Sequence, residues 1–159
     1  PKTPLATATA EIDLDITAVH PSADNHRKTF NDTSLQELAD SIREMGLQTI
    51  AVRPRTAGGY EIIYGERHYR ASLLAGAKTI KATIYDHITD DEAEDMSLSK
   101  NLQREQVRPT EEAKAFKRLL EKGRHDMYSL VSRFGWSEKY IYNAVSYTHL
   151  RAHETRSNL

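Results

Sequence analysis

In the N-terminal two thirds of the chain, some segments alternate apolar and polar residues, as strands do, and others repeat apolar residues every three or four positions, as helices do. In residues 11–19 the apolar Ile12, Leu14 and Ile16 alternate with the acids Glu11, Asp13 and Asp15, which predicts a half-buried strand. Short β-rich runs predict three more strands, two of them separated by the turn Gly58-Gly59: Thr49–Arg55, Tyr60–Tyr64 and Ile80–Tyr85. Helices are predicted at Glu66–Ala75, ended by Gly76, and at Asp90–Leu102, which has acids in its first turn.

Another helix is predicted between the first two strands. Its apolar residues lie three or four positions apart, as one face of an α-helix requires: Leu35, Leu38, Ile42 and Met45. Asp32, Thr33 or Ser34 can cap its N-terminus, and Gly46 stands where a left-handed C-terminal residue is wanted. Residues 20–31, before this helix, are interpreted as a loop.

The pattern changes near Glu105–Pro109, where strand–helix alternation gives way to helices only. Pro109 suits the first position of a helix, which Gly123 ends. Two shorter helices are predicted at Met127–Phe134 and Ser137–Val145. We therefore place a domain boundary between the two patterns.

The predicted fold class is an α+β domain with a small mixed sheet, followed by an all-α domain. The first domain is assigned to residues 11–106 and the second to residues 107–145, after a low-complexity N-terminus at 1–10 that is expected to be disordered. Residues 146–159 do not continue the amphipathic pattern, and we expect a foreign, adapter-derived tail that replaces the native chain after Val145. His149 and His153 could form a metal pair, but the tail offers no third ligand.

Composition excludes several classes of protein and site. The 159 residues include no cysteine, which excludes disulfides, thiolate metal sites and cysteine nucleophiles. No apolar run approaches a membrane span and no signal peptide is visible, so we expect a cytoplasmic protein without a membrane partner. Residues 1–99 carry 10 Lys and Arg against 16 Asp and Glu, whereas residues 100–159 carry 12 against 7. A basic C-terminal part is compatible with a polyanionic partner.

The segment Tyr60–Ala71, YEIIYGERHYRA, has features of an anion-binding turn. A strand runs into Gly65 and a helix begins at once, so unpaired N–H groups and the positive end of the helix dipole meet there. Glycine allows a phosphate to approach the backbone closely, and Arg67, His68 and Arg70 crowd the same turn. The alternative is an ordinary surface helix with scattered charges.

Four segments, in order, resemble the conserved boxes of the ParB partition-protein family. GERHYRAS resembles the GERRxRA box, SKNLQREQVRPTEEA resembles the ENxQRxxxxPxEEA box, and LADSIREMGLQTIAVRP resembles a helix–Gly–Gln–strand segment. NHRKTF, at Asn25–Phe30, resembles the loop NPRRxF. The resemblance implies an N-terminal ParB/sulfiredoxin-like domain that binds cytidine triphosphate (CTP) with Mg²⁺, followed by a helix-turn-helix. A sulfiredoxin-like activity would need a cysteine.

The resemblance also implies roles for individual residues. Arg27 would reach the triphosphate from its loop, Gly46 and Gln48 would line the nucleoside side, and Asn101 would help to coordinate Mg²⁺. The remaining candidates would hold the phosphates or complete the pocket: Gly65, Glu66, Arg67, His68, Gln103 and Arg104. Guanidinium groups suit phosphate oxygens, and oxygen ligands suit Mg²⁺.

Three positions depart from the family boxes. His68 replaces an arginine, and its charge changes near neutral pH. Lys100 replaces a glutamate that could serve the metal or a water, and His26 replaces the loop proline. These changes leave open whether CTP is hydrolysed, so at most a weak CTPase is expected.

Residues 128–145, YSLVSRFGWSEKYIYNAV, fit a helix-turn-helix. Ser137 would cap the second helix, while Leu130, Val131 and Phe134 would pack against Ile141 and Val145. The candidate DNA-binding residues are Ser137, Lys139, Tyr140, Tyr142 and Asn143. The family implies a palindromic, centromere-like site in double-stranded DNA and a homodimeric parent. A small helical bundle used only for packing is the alternative, and Trp136 is compatible with packing.

Three functions are compatible with the sequence. The first is a nucleotide-switched DNA clamp for plasmid or chromosome segregation, with a partition ATPase as a possible partner. The second is a KorB-like transcriptional repressor on the same fold. The third is a metal-dependent ParB-like nuclease, which the acids at Asp90–Asp95 support poorly because they suit a helix start.

Overall fold

The chain forms two compact units in the computed structural model, which describes residues 6–23, 30–46, 48–103, 108–121 and 125–146. We name them the N-terminal unit, residues 4–96, and the C-terminal unit, residues 97–159 together with 1–3. The division falls inside a helix, whereas the sequence places the domain boundary at Glu105–Pro109, so the predicted domain limits stay a prediction. Within the described residues, no helix is both long and apolar enough to cross a membrane.

A five-stranded mixed sheet is the centre of the N-terminal unit. Its strands are β1 (Ala10–Asp15), β2 (Val19–His20), β3 (Ile50–Pro54), β4 (Tyr60–Tyr64) and β5 (Thr79–Ile84), in the spatial order β1-β5-β3-β4-β2. β1 pairs antiparallel with β5 and β3 with β4, while β3 runs parallel to β5 and β2 to β4. The strands bury a continuous apolar cluster: Leu14, Ile16, Val19, Ile50, Val52, Ile62, Ile80, Ala82 and Ile84. The mixed α/β arrangement predicted from the sequence is confirmed.

The first strand is shorter than the alternation suggested. β1 ends at Asp15, whose carboxylate accepts hydrogen bonds from the Thr17 amide at 2.9 Å and the Thr17 hydroxyl at 2.7 Å. These bonds close a 3-10 turn over Ile16–Ala18 before the short β2. The prediction of one strand through Val19 was therefore wrong in its second half, because a local side-chain cap competed with the strand.

α1 (Asp32–Met45) packs against the second helix of the unit, α2 (Glu66–Leu74). Its N-cap is Asn31, whose side chain accepts from the Ser34 amide at 3.2 Å, so none of the three predicted caps was correct. Met45, predicted as part of the buried face, is 82% exposed. Gly46 has a positive φ of 92°, as predicted, but its ψ of 177° lies outside the left-handed helical region that was predicted, in a region that only glycine adopts readily.

α3 (Asp90–Leu102) begins beside the sheet in the N-terminal unit. Arg53 of β3 donates to Asp90 at 2.7 Å and to Glu61 of β4 at 3.2 Å. Burial lowers the pKa of Arg53, but the hydrogen bonds to Asp90 and Glu61 outweigh burial and raise it. This bridge fixes the first turn of α3 on the sheet.

The described part of the C-terminal unit is helical. The last turns of α3 pack with α4 (Pro109–Glu121), α5 (Met127–Phe134) and α6, which comprises residues 138–146. Their shared core contains Leu98, Leu102, Ala115, Phe116, Leu119, Leu130 and Ile141. The predicted start of α4 at Pro109 and the predicted bounds of α5 are confirmed.

Candidate functional sites

The turn from β4 into α2 depends on Gly65. Its φ of 102° and ψ of 21° are left-handed, and a Cβ built there would lie 2.7 Å from Cγ2 of Ile50. Glycine is thus required here for packing against β3 as well as for its backbone angle. As the N-cap of α2, Gly65 provides no side-chain hydrogen bond to the first turn. The approach of a phosphate to this backbone stays a prediction.

Glu66 begins α2 with a carboxylate that is nearly buried. Its side chain is 10% exposed, and Oε1 accepts from Nη2 and Nε of Arg70 at 3.1 and 3.3 Å. The second oxygen, Oε2, is buried and has no hydrogen-bond partner among the described residues. A buried carboxylate oxygen normally has a partner, so this atom fits a donor or a cation.

Arg67 connects α2 with the start of α1. Its Nη2 donates to the Ser34 carbonyl at 3.3 Å and also to the Ser34 hydroxyl. Ser34 lies in the first turn of α1, directly after the segment that carries Arg27. Because the described bonds of this guanidinium use only Nη2, its other N–H groups remain suitable for an anion.

Arg70 contacts the residue that precedes the N-cap of α1. The guanidinium carbon lies 4.2 Å from the ring centroid of Phe30, which is a cation–π distance. Arg67 and Arg70 therefore both contact the junction between the predicted triphosphate loop and α1. The contacts of Arg67 with Ser34 and of Arg70 with Phe30 were not predicted, because the partners are about 30 to 40 positions apart. The ion pair of Glu66 with Arg70 agrees with the alternative that Glu66 pairs with a nearby arginine, for which the i,i+4 spacing is the sequence signal.

The other nucleotide candidates are distributed over several places. His68 is half-buried in the first turn of α2, and its carbonyl accepts from the Ser72 hydroxyl at 2.7 Å. Gly46 and Gln48 are exposed after α1. Asn101 and Gln103 lie at the end of α3 in the C-terminal unit, while Arg27 and Arg104 lie outside the described residues.

In the C-terminal unit, α5 and α6 are joined by a short turn. Gly135 caps α5 with a left-handed φ of 74°, and its amide donates to the Val131 carbonyl at 2.9 Å. The Ser137 hydroxyl accepts from the Tyr140 amide at 3.1 Å, which is N-capping geometry for α6. Leu130 and Ile141 are buried across this turn, as predicted.

The candidate DNA-binding residues of α6 differ in their contacts. Lys139, Tyr142 and Asn143 are exposed. Tyr140 instead donates its hydroxyl proton to the Glu112 carboxylate of α4 at 2.5 Å, and its ring stacks on Trp136. This hydrogen bond raises the pKa of Tyr140, and burial and the charge of Glu112 raise it further.

The ParB N-terminal domain family model matches residues 3–102, which include the sheet, α1, α2 and α3. The chain belongs to the ParB N-terminal domain family. The chromosome-partitioning protein Spo0J of Thermus thermophilus is 41% identical over 140 residues, which cover 87% of this chain and 51% of that protein. The chain thus spans about half the length of the curated relatives it matches.

Two solved ParB structures from Caulobacter crescentus resemble the chain. The C-terminally truncated ParB complexed to the centromeric parS site has a TM-score of 0.72 and 30% identity, and the match covers 84% of this chain and 69% of that one. The truncated ParB complexed with CTP-γ-S has a TM-score of 0.57 and 33% identity, covering 85% and 76%. Both matches cover more of the chain than residues 3–102, which the family model matches.

Proposed function

We propose that this chain is part of a DNA-binding partition protein whose N-terminal unit binds CTP with Mg²⁺. The observation that carries the proposal is the start of α2, where three consecutive residues supply different groups. Gly65 leaves the helix end without a side-chain cap, Glu66 has a buried oxygen with no partner among the described residues, and Arg67 bonds to Ser34 in the first turn of α1. The Caulobacter relative that holds CTP-γ-S, at 33% identity, supports the choice of CTP over other anions.

The residues of this chain provide three kinds of nucleotide contact under the proposal. Under the proposal, the guanidinium groups of Arg27, Arg67 and Arg104 bind phosphate oxygens. The amides that begin α2 add donors to the same anion. Gly46 and Gln48 serve the nucleoside side, and Gln103 and His68 complete the pocket, as the family resemblance implies.

Mg²⁺ fits the donors that the chain offers. It prefers oxygen ligands and usually binds proteins through one or two of them plus phosphates. The amide oxygen of Asn101 is assigned as such a ligand by resemblance, and the buried Oε2 of Glu66, which has no partner among the described residues, would be a second one. When bound, the ion supplies positive charge to the phosphates. Lys100 stands where the family has a glutamate, so the proposal includes binding and at most weak hydrolysis.

The C-terminal unit is the DNA-binding part under this proposal. α5, the turn at Gly135 and α6 form the helix-turn-helix, and Lys139, Tyr142 and Asn143 are the exposed groups that can reach DNA. The parS-bound relative supports a centromere-like duplex as the target. The proposal also includes what the family resemblance implies: a palindromic site, a dimeric parent, a partition ATPase as a partner and a location on the nucleoid or a plasmid.

A thermal-shift titration with CTP, ATP, GTP and UTP tests nucleotide binding. At a CTP concentration 100 times Kd, binding stabilises the fold by about 2.7 kcal/mol, which corresponds to a rise in Tm of about 5–10 °C. Arg67→Ala should reduce this rise, and Lys81→Ala, an exposed cation on β5, should not. Equal shifts with all four nucleotides, or none with CTP, would contradict the proposal.

A cleavage assay separates this function from the nuclease alternative. Supercoiled plasmid incubated with the chain and Mg²⁺ or Mn²⁺ should stay supercoiled. Among the described residues, no group of three or more His, Asp and Glu side chains is placed to hold a metal ion. Measuring phosphate release from CTP with and without DNA separates a partition clamp from a repressor. Only in a clamp should DNA change the rate of phosphate release.

A further inference from the structure

Glu112 in α4 is a buried carboxylate that has one hydrogen bond to a helix far along the chain. The residue is 9% exposed, and its Oε1 accepts from the Tyr140 hydroxyl at 2.5 Å. A carboxylate that loses water on folding needs a donor, since an unpaired buried charge is strongly destabilising. Tyr140 provides that donor, although 46% of its own surface is exposed.

The ring of Tyr140 is held by a stack of aromatic side chains. It lies parallel to Trp136, with centroids 6.2 Å apart and an interplanar angle of 21°. Trp136 in turn meets the buried ring of Phe116 edge to face, at 5.1 Å and 89°. Phe116 and Glu112 both belong to α4. The ring of Tyr140, through Trp136, and the hydroxyl of Tyr140, directly, are therefore held against the same helix.

The backbone of Tyr140 is fixed as well. Its amide donates to the Ser137 hydroxyl at 3.1 Å, which closes the first turn of α6. Ile141, the next residue, is fully buried in the core of the unit. One residue in the first turn of α6 thus has its amide, ring and hydroxyl all in use by contacts within the protein.

We propose that Tyr140 is a positioning residue, which sets the orientation of α6 on α4 through Glu112, and that the exposed Lys139, Tyr142 and Asn143 make the DNA contacts. This inference rests on the proposed DNA-binding function and revises the role that the sequence pattern predicted for Tyr140. Side chains that read base edges must be placed within a fraction of an ångström, so loss of a tertiary contact behind the helix weakens binding without removing a DNA contact.

The test compares the DNA affinity of the full chain with and without Tyr140→Phe. The comparison is made once in the natural sequence and once in the Glu112→Leu variant. The probe is a duplex carrying the parS site bound by the Caulobacter relative, beside a scrambled duplex of equal length. Each Kd is measured well below the Tm of its variant and at several salt concentrations. Tyr142→Phe, which removes the hydroxyl of a 65% exposed tyrosine on the same helix, is the matched control.

Tyr140→Phe should weaken parS binding about tenfold, the equivalent of one hydrogen bond to a charged group. The salt dependence of Kd should stay unchanged, because no phosphate contact is lost. In the Glu112→Leu background the same substitution should have no further effect, whereas Tyr142→Phe should act equally in both backgrounds. Glu112→Gln keeps an acceptor for the Tyr140 hydroxyl, so with the natural Tyr140 it should retain most of the parS affinity that Glu112→Leu loses.

Three results would overturn the inference. Tyr140→Phe could weaken binding equally in both backgrounds, which indicates a direct DNA contact. It could lower Tm while the Kd of the folded protein stays the same, which indicates a role in stability alone. Hydrogen exchange of the α6 amides, measured without DNA, could be unaffected by Tyr140→Phe. A natural chain that does not distinguish the two duplexes contradicts the proposed function instead, and the exchange measurement still decides the Tyr140–Glu112 contact.

Discussion

Gly65 shows how one residue can serve both the backbone and the packing of a neighbouring strand. The strand–glycine–helix order in the sequence identified Gly65, and the predicted reason for a glycine there was the close approach of a phosphate. The structure adds that Ile50 occupies the space where a side chain would lie. Such a reason cannot be read from local sequence, because Ile50 and Gly65 meet only after β3 and β4 have paired.

A pair of alanine substitutions separates these two effects. Gly65→Ala should lower the free energy of unfolding by about 2–5 kcal/mol, from left-handed strain together with the contact to Ile50. Gly76→Ala, at the other end of α2, has a φ of 75° and open space around its Cβ, and should cost about 1–2 kcal/mol. Urea unfolding measures both. Equal costs would show that the Ile50 contact is unimportant.

Tyr140 predicts a dependence of stability on alkaline pH. Its pKa is raised in the folded state, first by the hydrogen bond to Glu112 and then by burial. The resulting stability is fully present below the ordinary value of 10.0 and is lost as pH rises through the folded pKa. Urea midpoints from pH 8 to 11 should therefore fall less steeply above about pH 10 for Tyr140→Phe than for the natural chain. Identical slopes would contradict the shift. Tyr142→Phe is the control.

At the scale of helices and strands, most elements were predicted from the spacing of apolar residues and from the residues that begin or end an element. β4, α3 and α5 have the predicted bounds, since glycines follow β4 and α5 and acids begin α3. Two errors came from side-chain hydrogen bonds that the pattern does not show, at Asp15 and at the Asn31 cap. The pairing of α1 with α2 was not predicted, because it depends on contacts between residues that are distant in the sequence, such as the burial of Ala71 against Leu35 and Ala39 and the bond of Arg67 to Ser34.

The Glu66–Arg70 pair tests how α2 is stabilised. Arg70→Gln leaves a nearly buried carboxylate without its ion-pair partner and should cost about 1–3 kcal/mol. In a Glu66→Gln background the same change should cost less than about 1 kcal/mol. Lys117→Gln in α4 breaks an exposed i,i+4 pair and should change stability by about 0.5 kcal/mol or less. Urea unfolding of these variants decides between coupled and independent roles.

At the scale of the whole molecule, the sequence divides into an acidic part and a basic part. The negative excess belongs to residues 1–99 and the positive excess to residues 100–159, close to the division between the two compact units. Under the proposed function, a triphosphate would bind the acidic part through local donors, whereas the basic part suits a polyanion as a whole. Charge and family boxes predict this division of roles, while the hydrogen-bond partners required the structure.

Hydrogen exchange of the full chain with and without CTP and Mg²⁺ tests the nucleotide site most directly. We expect exchange to slow in the first turns of α2 and α1, around residues 65–68 and 32–35, and to remain unchanged where β1 pairs with β5. ATP with Mg²⁺ should produce less protection at the same positions. Unchanged exchange at the start of α2 with saturating CTP, or equal protection by ATP, would contradict a CTP site at this turn.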